Sequence, residues 1–127
     1  MNAALWYLLT TTQIKHFLCD YPFQKHGAKK GDLRLSVWVP DLLAHSAVHM
    51  VGTVSVFWPI VGLAAAWNYG VVDLLAHFLV DRIKAHPQMG GRWKPQDKLF
   101  WVALGADQMV HHLINLLFVW HALLRYT

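Results

Sequence analysis

The chain contains no glutamate, a single cysteine and few charged residues. Its seven acidic residues are all aspartates, and charged residues make up 14% of the 127 positions, whereas about 25% is typical of soluble domains. Because Cys19 has no second cysteine to pair with, a disulfide-stabilised scaffold is excluded. The apolar fraction of 56% excludes a disordered chain. The length is sufficient for one domain.

The basic residues give a formal net charge of +4 when the nine histidines are neutral. Most of them fall in two clusters between apolar segments: Lys25, Lys29, Lys30 and Arg34, and then Arg82, Lys84, Arg92, Lys94 and Lys98. Clusters placed in this way are typical of the loops of a membrane protein. The lipid bilayer is therefore the expected partner, and no nucleic-acid partner is expected.

The apolar segments predict four helices, at about residues 2–20, 41–66, 70–86 and 96–124. The first segment has neither an N-terminal positive charge nor a small-residue cleavage site, so we expect a retained helix and not a signal peptide. No charged residue occurs in the 31 positions from Leu42 to Val72, and one membrane span needs only about 20 residues. This run predicts one span, a turn at residues 67–70 and the start of the next span.

The predicted fold is therefore all-α, an integral membrane four-helix bundle with a basic linker at residues 21–40. Both basic linkers then lie on one side of the membrane, which the positive-inside rule identifies as cytoplasmic. We expect a multi-pass protein of a bacterial inner membrane, with both termini on the non-cytoplasmic side. A soluble four-helix bundle is the alternative, and the long uncharged run argues against it.

Polar side chains recur four residues apart within the apolar helices. They are His16 and Asp20; His45 and His49; Asp73, His77 and Asp81; Asp107 and His111; and Gln108 and His112. A spacing of four places two side chains on one face of a helix, one turn apart. Because these residues lie toward the cytoplasmic ends of their helices, we expect them to meet in one half of the bundle.

The buried acids need a compensating charge. A charged aspartate at the centre of a membrane costs about 2.5–3.5 kcal/mol, so four of them would cost roughly 10–14 kcal/mol without compensation. No lysine or arginine is placed deeply enough to pair with all four. Imidazole and carboxylate groups together suit zinc, manganese or iron. The pattern therefore predicts one or two divalent metal ions.

The spacing suggests a role for each of these residues. The candidate metal ligands are His16, Asp20, His45, His49, Asp73, His77, Asp81, His111 and His112. Asp107 is the candidate catalytic residue, as a general base or a further ligand. Two adjacent ions would activate water against a phosphate or ester. Arg82 and Lys84 would then hold an anionic substrate, such as a lipid head group or a nucleotide.

Other functions are compatible with the same pattern. Histidines and aspartates can form hydrogen bonds without a metal, and they can also form a proton or ion path across a membrane. A structural metal site in a membrane complex is a further alternative. A di-iron oxygenase is disfavoured because aspartates are too prominent among the candidate ligands. Four short helices leave much lipid-facing surface, which is compatible with a homo-oligomer.

Four short motifs also occur in a familiar order. Over nearly its whole length, the chain resembles the small bacterial and bacteriophage membrane proteins grouped as domain of unknown function 3307. The motifs that carry the resemblance are H-x3-D-x3-Q at His16, Asp20 and Gln24; the pair His45 and His49; H-F-x2-D-x2-K at His77, Asp81 and Lys84; and D-Q-x2-H at Asp107, Gln108 and His111.

The resemblance implies a compact helical membrane protein with a polar His/Asp centre, and it implies no particular reaction. It adds Gln24 and Gln108 as residues expected beside the ligands. The chain is also loosely similar to membrane-bound proteins labelled metal-dependent hydrolases, which favours hydrolysis only by analogy. The long basic linker at residues 24–40 departs from the pattern expected of the family.

Overall fold

The structure is a computed structural model that describes residues 3–22 and 29–127. These residues form four α-helices, α1 (Ala3–Asp20), α2 (Leu35–Val61), α3 (Leu63–Ala85) and α4 (Lys98–Tyr126), and a short 3-10 turn (Gly90–Arg92). The prediction of an all-α fold is confirmed for the described ranges, which contain no strand. Gln24, predicted to lie beside the ligands, falls outside them.

Two predicted boundaries of the second helix are wrong. Residues 35–40, assigned to the linker, belong to α2, where Trp38 packs against Phe78 of α3 with ring centroids 5.7 Å apart. The break between α2 and α3 falls at Gly62, and the predicted turn at 67–70 is helical. Gly62 has a φ of +79°, which glycine adopts at little cost because it has no Cβ.

Consecutive helices run antiparallel, and α2 packs most extensively against α3. The direction follows from contacts at both ends of this pair. Phe57 stacks on Tyr69 with ring centroids 4.7 Å apart, and at the other end Nε2 of His45 lies 3.4 Å from Oδ2 of Asp81. The two helices therefore remain in contact over most of their length.

The two halves of the bundle differ in character. One half is an apolar core of residues from all four helices, namely Leu8, Phe57, Val61, Ala66, Tyr69, Phe118, Val119 and Ala122. The other half is formed by the C-terminal ends of α1 and α3 and the N-terminal ends of α2 and α4. Its buried side chains are mainly histidines and aspartates. The antiparallel order thus brings the polar segments of all four helices to one end.

Three helices, α2, α3 and α4, are long and apolar enough to cross a membrane. Their outward faces carry large apolar side chains, among them Trp58, Leu79 and Trp120, which are between 56% and 62% exposed. These features are consistent with a membrane protein. The predicted first span, α1, is not among the three, because polar residues such as Gln13 and Lys15 lower its mean hydropathy.

The close approach of α2 and α3 depends on Gly70. A Cβ at this position would lie 2.6 Å from Cγ2 of Val54 and 3.1 Å from the carbonyl oxygen of Met50. Gly70→Ala is therefore expected to lower the free energy of unfolding by about 1–3 kcal/mol, because the backbone of α2 must move away. The measurement is the free energy of unfolding, from denaturation in detergent that is monitored by circular dichroism.

Gly105→Ala is the matched control. A Cβ at Gly105 would have no described atom within 4 Å, so this helical substitution is expected to be neutral or to stabilise the protein by up to about 1 kcal/mol. Equal loss of stability in the two variants would contradict the close packing at Gly70.

Candidate metal centre

Seven His and Asp side chains form two groups at the polar end of the bundle. The first group contains His16, Asp20, His49 and His77, and the second contains Asp81, Asp107 and His111. Within each group, every residue offers a nitrogen or oxygen atom, and these atoms all lie within 4.8 Å of one another. All four helices contribute, since the residues come from α1, α2, α3 and α4.

The first group is centred on the carboxylate of Asp20. Nε2 of His49 lies 2.9 Å from Oδ1 of Asp20, and Nε2 of His16 lies 3.2 Å from its Oδ2. Ligand atoms about 2.1 Å from a tetrahedral ion lie about 3.4 Å from each other, and the distance is about 3.0 Å for an octahedral ion. These distances are those of hydrogen bonds in the absence of an ion, and they also match the spacing of neighbouring ligands around one ion.

The second group is centred on His111. Its Nε2 lies 3.1 Å from Oδ1 of Asp81 and 3.6 Å from Oδ1 of Asp107. The two groups are adjacent, because the rings of His77 and His111 are stacked with centroids 4.0 Å apart. Two ions bound in these groups would therefore be neighbours.

His45 lies between the two groups, although it belongs to neither. Its Nε2 is 3.4 Å from Oδ2 of Asp81 and 3.7 Å from Oδ1 of Asp20. The side chain is fully buried. One imidazole nitrogen thus contacts a carboxylate of each group, which is the position of a ligand for one ion or of a residue that holds both aspartates in place.

Several buried polar atoms at this end form no hydrogen bond with the rest of the described chain. They include Nε2 of His45, Nε2 of His77 and Oδ1 of Asp107. Buried polar atoms are nearly always hydrogen-bonded or bound to an ion. Imidazole nitrogens and carboxylate oxygens are ligands for zinc, manganese and iron. The donor set therefore fits a divalent metal.

Asp73, a predicted ligand, lies outside both groups and contacts Lys15, Thr53 and His77. Nζ of Lys15 donates to Oδ2 of Asp73 at 2.7 Å, and the Thr53 hydroxyl donates to the same oxygen at 2.6 Å. Nδ1 of His77 lies 3.0 Å from the backbone oxygen of Asp73, which can only accept. Nδ1 therefore carries the proton, and Nε2 of His77 presents its lone pair to the first group.

Gln108 connects the two groups. Its Nε2 donates to Oδ2 of Asp20 and to Oδ2 of Asp107, both at 3.2 Å. Its Oε1 lies 3.1 Å from Nε2 of His16. The amide thus lies beside the candidate ligands and restrains carboxylates on both sides. His112, a predicted ligand, lies outside both groups, with its ring centroid 5.1 Å from that of His16.

The two residues predicted to bind substrate lie in different surroundings. The guanidinium of Arg82 donates to the backbone oxygens of Lys30 and Asp32, at 2.6 and 2.9 Å. It also lies 4.0 Å from the ring centroid of Trp38. Arg82 therefore holds the linker and the start of α2 against α3. Lys84, in contrast, lines a polar pocket beside the two groups.

Two lysines at the polar end were missed by the sequence analysis. Lys15 is buried against Asp73, and Nζ of Lys30 lies 2.7 Å from Oδ2 of Asp81. Two of the four acids in the apolar helices are therefore paired with lysine. The position of Lys15 next to His16 in the sequence is a signal of its depth, whereas no local pattern places Lys30 near Asp81.

Outside the candidate membrane spans, Asp32 and Arg34 form an ion pair at the start of α2. The guanidinium donates to both carboxylate oxygens, at 3.1 and 2.9 Å. These hydrogen bonds from Arg34 lower the pKa of Asp32 to about 2. The pair lies apart from both groups and belongs to the linker.

Fold and site together define a small helical protein with a buried His/Asp cluster and three helices able to cross a membrane. The chain belongs to the family described as "Protein of unknown function (DUF3307)", whose sequence model matches residues 8–127. The match confirms the family indicated by the four motifs and includes every residue of both groups. No curated protein and no solved structure matches the chain.

The buried pair of Lys15 and Asp73 leads to a prediction about stability. Lys15→Met would leave the Asp73 carboxylate buried without its cation, which is expected to lower the free energy of unfolding by about 3–5 kcal/mol. Adding Asp73→Asn should recover much of this loss because it removes the uncompensated charge. The measurement is denaturation of each variant in detergent.

Lys98→Met serves as the control, because Lys98 is exposed at the start of α4 and its removal should change stability by less than about 0.5 kcal/mol. If Lys15→Met were as stable as the double variant, Asp73 would not depend on Lys15 for its charge.

Proposed function

We propose that this chain is a membrane protein that binds two divalent ions in its two His/Asp groups and uses them to hydrolyse a phosphate or an ester. The observation that carries the proposal is the adjacency of the two groups, whose His77 and His111 rings are stacked 4.0 Å apart. Adjacent metal sites can activate a water molecule and bind the reacting oxygens of the substrate.

The charge balance of the cluster supports bound cations. Three carboxylates, those of Asp20, Asp81 and Asp107, belong to the two groups. Lys30 contacts Asp81, and the other two carboxylates contact neutral or titratable partners, mainly histidines and Gln108. One divalent ion would balance the two negative charges that remain, as buried carboxylates require, and a second would leave the site positive and suited to an anionic substrate.

Asp107 is our candidate for the catalytic residue. It belongs to the second group and also lines the polar pocket. Its Oδ2 accepts a hydrogen bond from Gln108, whereas its Oδ1 has no hydrogen bond among the described residues. Oδ1 is therefore a buried acceptor that could bind an ion of the second group or accept a proton from a water molecule held by such an ion.

We further propose that the polar end faces the cytoplasm of a bacterium at its inner membrane. Helices α1 and α3 end, and α2 and α4 begin, at this end, and the sequence between them contains six of the eleven lysines and arginines. The positive-inside rule places such loops in the cytoplasm. Substrates would then reach the centre from the cytoplasmic leaflet.

A proton or ion path across the membrane is the alternative function. It needs polar groups along the whole bundle, whereas the half that contains Phe57, Tyr69 and Phe118 has an apolar core. This distribution favours a centre that opens to one side. A purely structural metal site is the other alternative, and it predicts bound metal without turnover.

The first experiment is elemental analysis of protein loaded with zinc or manganese in detergent. The wild type should hold about two equivalents. Asp81→Asn combined with His111→Ala should hold about one, because only the first group remains intact. His121→Ala is the control. The His121 ring forms a hydrogen bond with the Tyr69 hydroxyl at the apolar end, so its removal should not change the metal content. Absence of bound metal in the wild type would refute the proposal.

A second experiment tests catalysis. Asp107→Asn should lower kcat for a phosphate ester by about 100-fold or more, because general-base catalysis or an ion ligand is lost. Asp97→Asn removes an exposed carboxylate that precedes α4 and should leave kcat unchanged. Metal-loaded wild type without turnover on any phosphate or carboxylic ester would instead support a structural metal site.

A further inference from the structure

A polar pocket of about 200 Å³ lies against both groups of the candidate centre. Asp20, from the first group, and Asp81 and Asp107, from the second, form part of its wall. Lys30 and Lys84 line the same pocket. A ligand in this pocket would touch both sets of candidate metal ligands and two ammonium groups at once.

The charges in this pocket indicate which ligand it can hold. Three carboxylates and two lysines alone leave the pocket with a net negative charge, which would repel an anion. Two divalent ions bound to the carboxylates, as in the proposed function on which this inference rests, reverse the sign. The ions and the lysine ammonium groups would then bind a phosphate, which carries several strong acceptor oxygens.

An apolar groove of about 360 Å³ adjoins the polar pocket. It runs between α3 and α4, and its apolar wall includes Val80, Ile83, Ala103, Ala106 and Val110. Lys84 and Asp107 line both the groove and the polar pocket, so the two spaces share a boundary. A molecule with an anionic and a hydrocarbon part could therefore occupy both.

The groove suits a hydrocarbon chain better than a nucleobase. Apart from Lys84, Asp107 and the Trp93 indole, the described residues that line it have no hydrogen-bonding side chain. A base would leave its polar edge unpaired there, at a cost of free energy. Both helices that form the groove are also candidate membrane spans, so a lipid could enter from the bilayer.

We propose that the ligand of this site is a lipid with a phosphate head group. The phosphate lies in the polar pocket, where Lys30 and Lys84 and the ions of the proposed centre face it. An acyl chain lies in the groove between α3 and α4. Lys30 replaces Arg82 as the partner of Lys84 in holding the anion, since Arg82 is occupied by the linker and Trp38.

The test compares two ligands with the same head group. Zinc-loaded full-length protein in detergent is titrated by calorimetry with dihexanoyl phosphatidic acid and with glycerol 3-phosphate, which has no acyl chain. The lipid is expected to bind at least about tenfold more tightly, because its chains leave water. The zinc content of every sample is measured separately.

Two variants test the two parts of the site. Lys84→Met should weaken binding of both ligands by about tenfold, because it removes a charge-assisted contact to phosphate. Ala106→Trp should weaken binding of the lipid alone, because the indole fills the groove. The controls are Lys98→Met and Val102→Trp, which alter exposed positions of α4 outside both cavities and should change neither affinity.

Each failure has a distinct meaning. Equal affinity for the two ligands would overturn the proposal that the ligand is a lipid, and it would identify a pocket for soluble phosphates. Unchanged affinity in Lys84→Met, or equal losses for both ligands in Ala106→Trp, would also overturn the inference. Zinc-loaded protein that binds neither ligand would refute the inference and leave the metal centre intact. Protein that takes up no zinc would refute the metal centre, and this inference with it.

Discussion

The contacts between buried carboxylates and imidazoles determine how the four helices are arranged. Asp20 of α1 meets His49 of α2, and Asp81 of α3 meets His111 of α4. A carboxylate on an apolar helix is stable only beside a cation, a hydrogen-bond donor or a metal ion. The polar turns of the helices must therefore face each other at one end, and the antiparallel order of the bundle satisfies this requirement.

The two halves of the bundle differ in role: one half packs the helices together, and the other holds the candidate metal ligands. At one end, rings such as Phe57 and Tyr69 stack and form an apolar core. At the other end, histidines and aspartates form the interior. Lys15, Asp73 and Thr53 lie on the side of the first group toward the apolar half, where they fix the orientation of His77. Such outer contacts usually decide how well a metal ligand is held.

At the polar end of the bundle, the distribution of polarity is the reverse of that in a soluble domain. Large apolar side chains cover much of the outside, while the most deeply buried side chains include His45, His49 and Asp73. Such an exterior is consistent with a lipid environment around α2, α3 and α4, which are long and apolar enough to cross a membrane. In the interior, Lys15 and Lys30 pair with two of the buried aspartates, and the metal ions that we propose would compensate the others. The polar pocket and the apolar groove, which meet at Lys84 and Asp107, connect the two environments.

The sequence alone determined the all-α fold and the side chains that gather at one end, because both follow from local periodicity and the order of the helices. The sequence-based prediction misplaced both ends of α2. The packing of Trp38 extends the start of this helix to Leu35, and Gly62 ends it before the predicted turn at residues 67–70. Only the tertiary structure decided the pairing of Lys15 with Asp73 and of Lys30 with Asp81. Such pairs depend on the rotation and axial shift of one helix against another, which spacing within a helix does not encode.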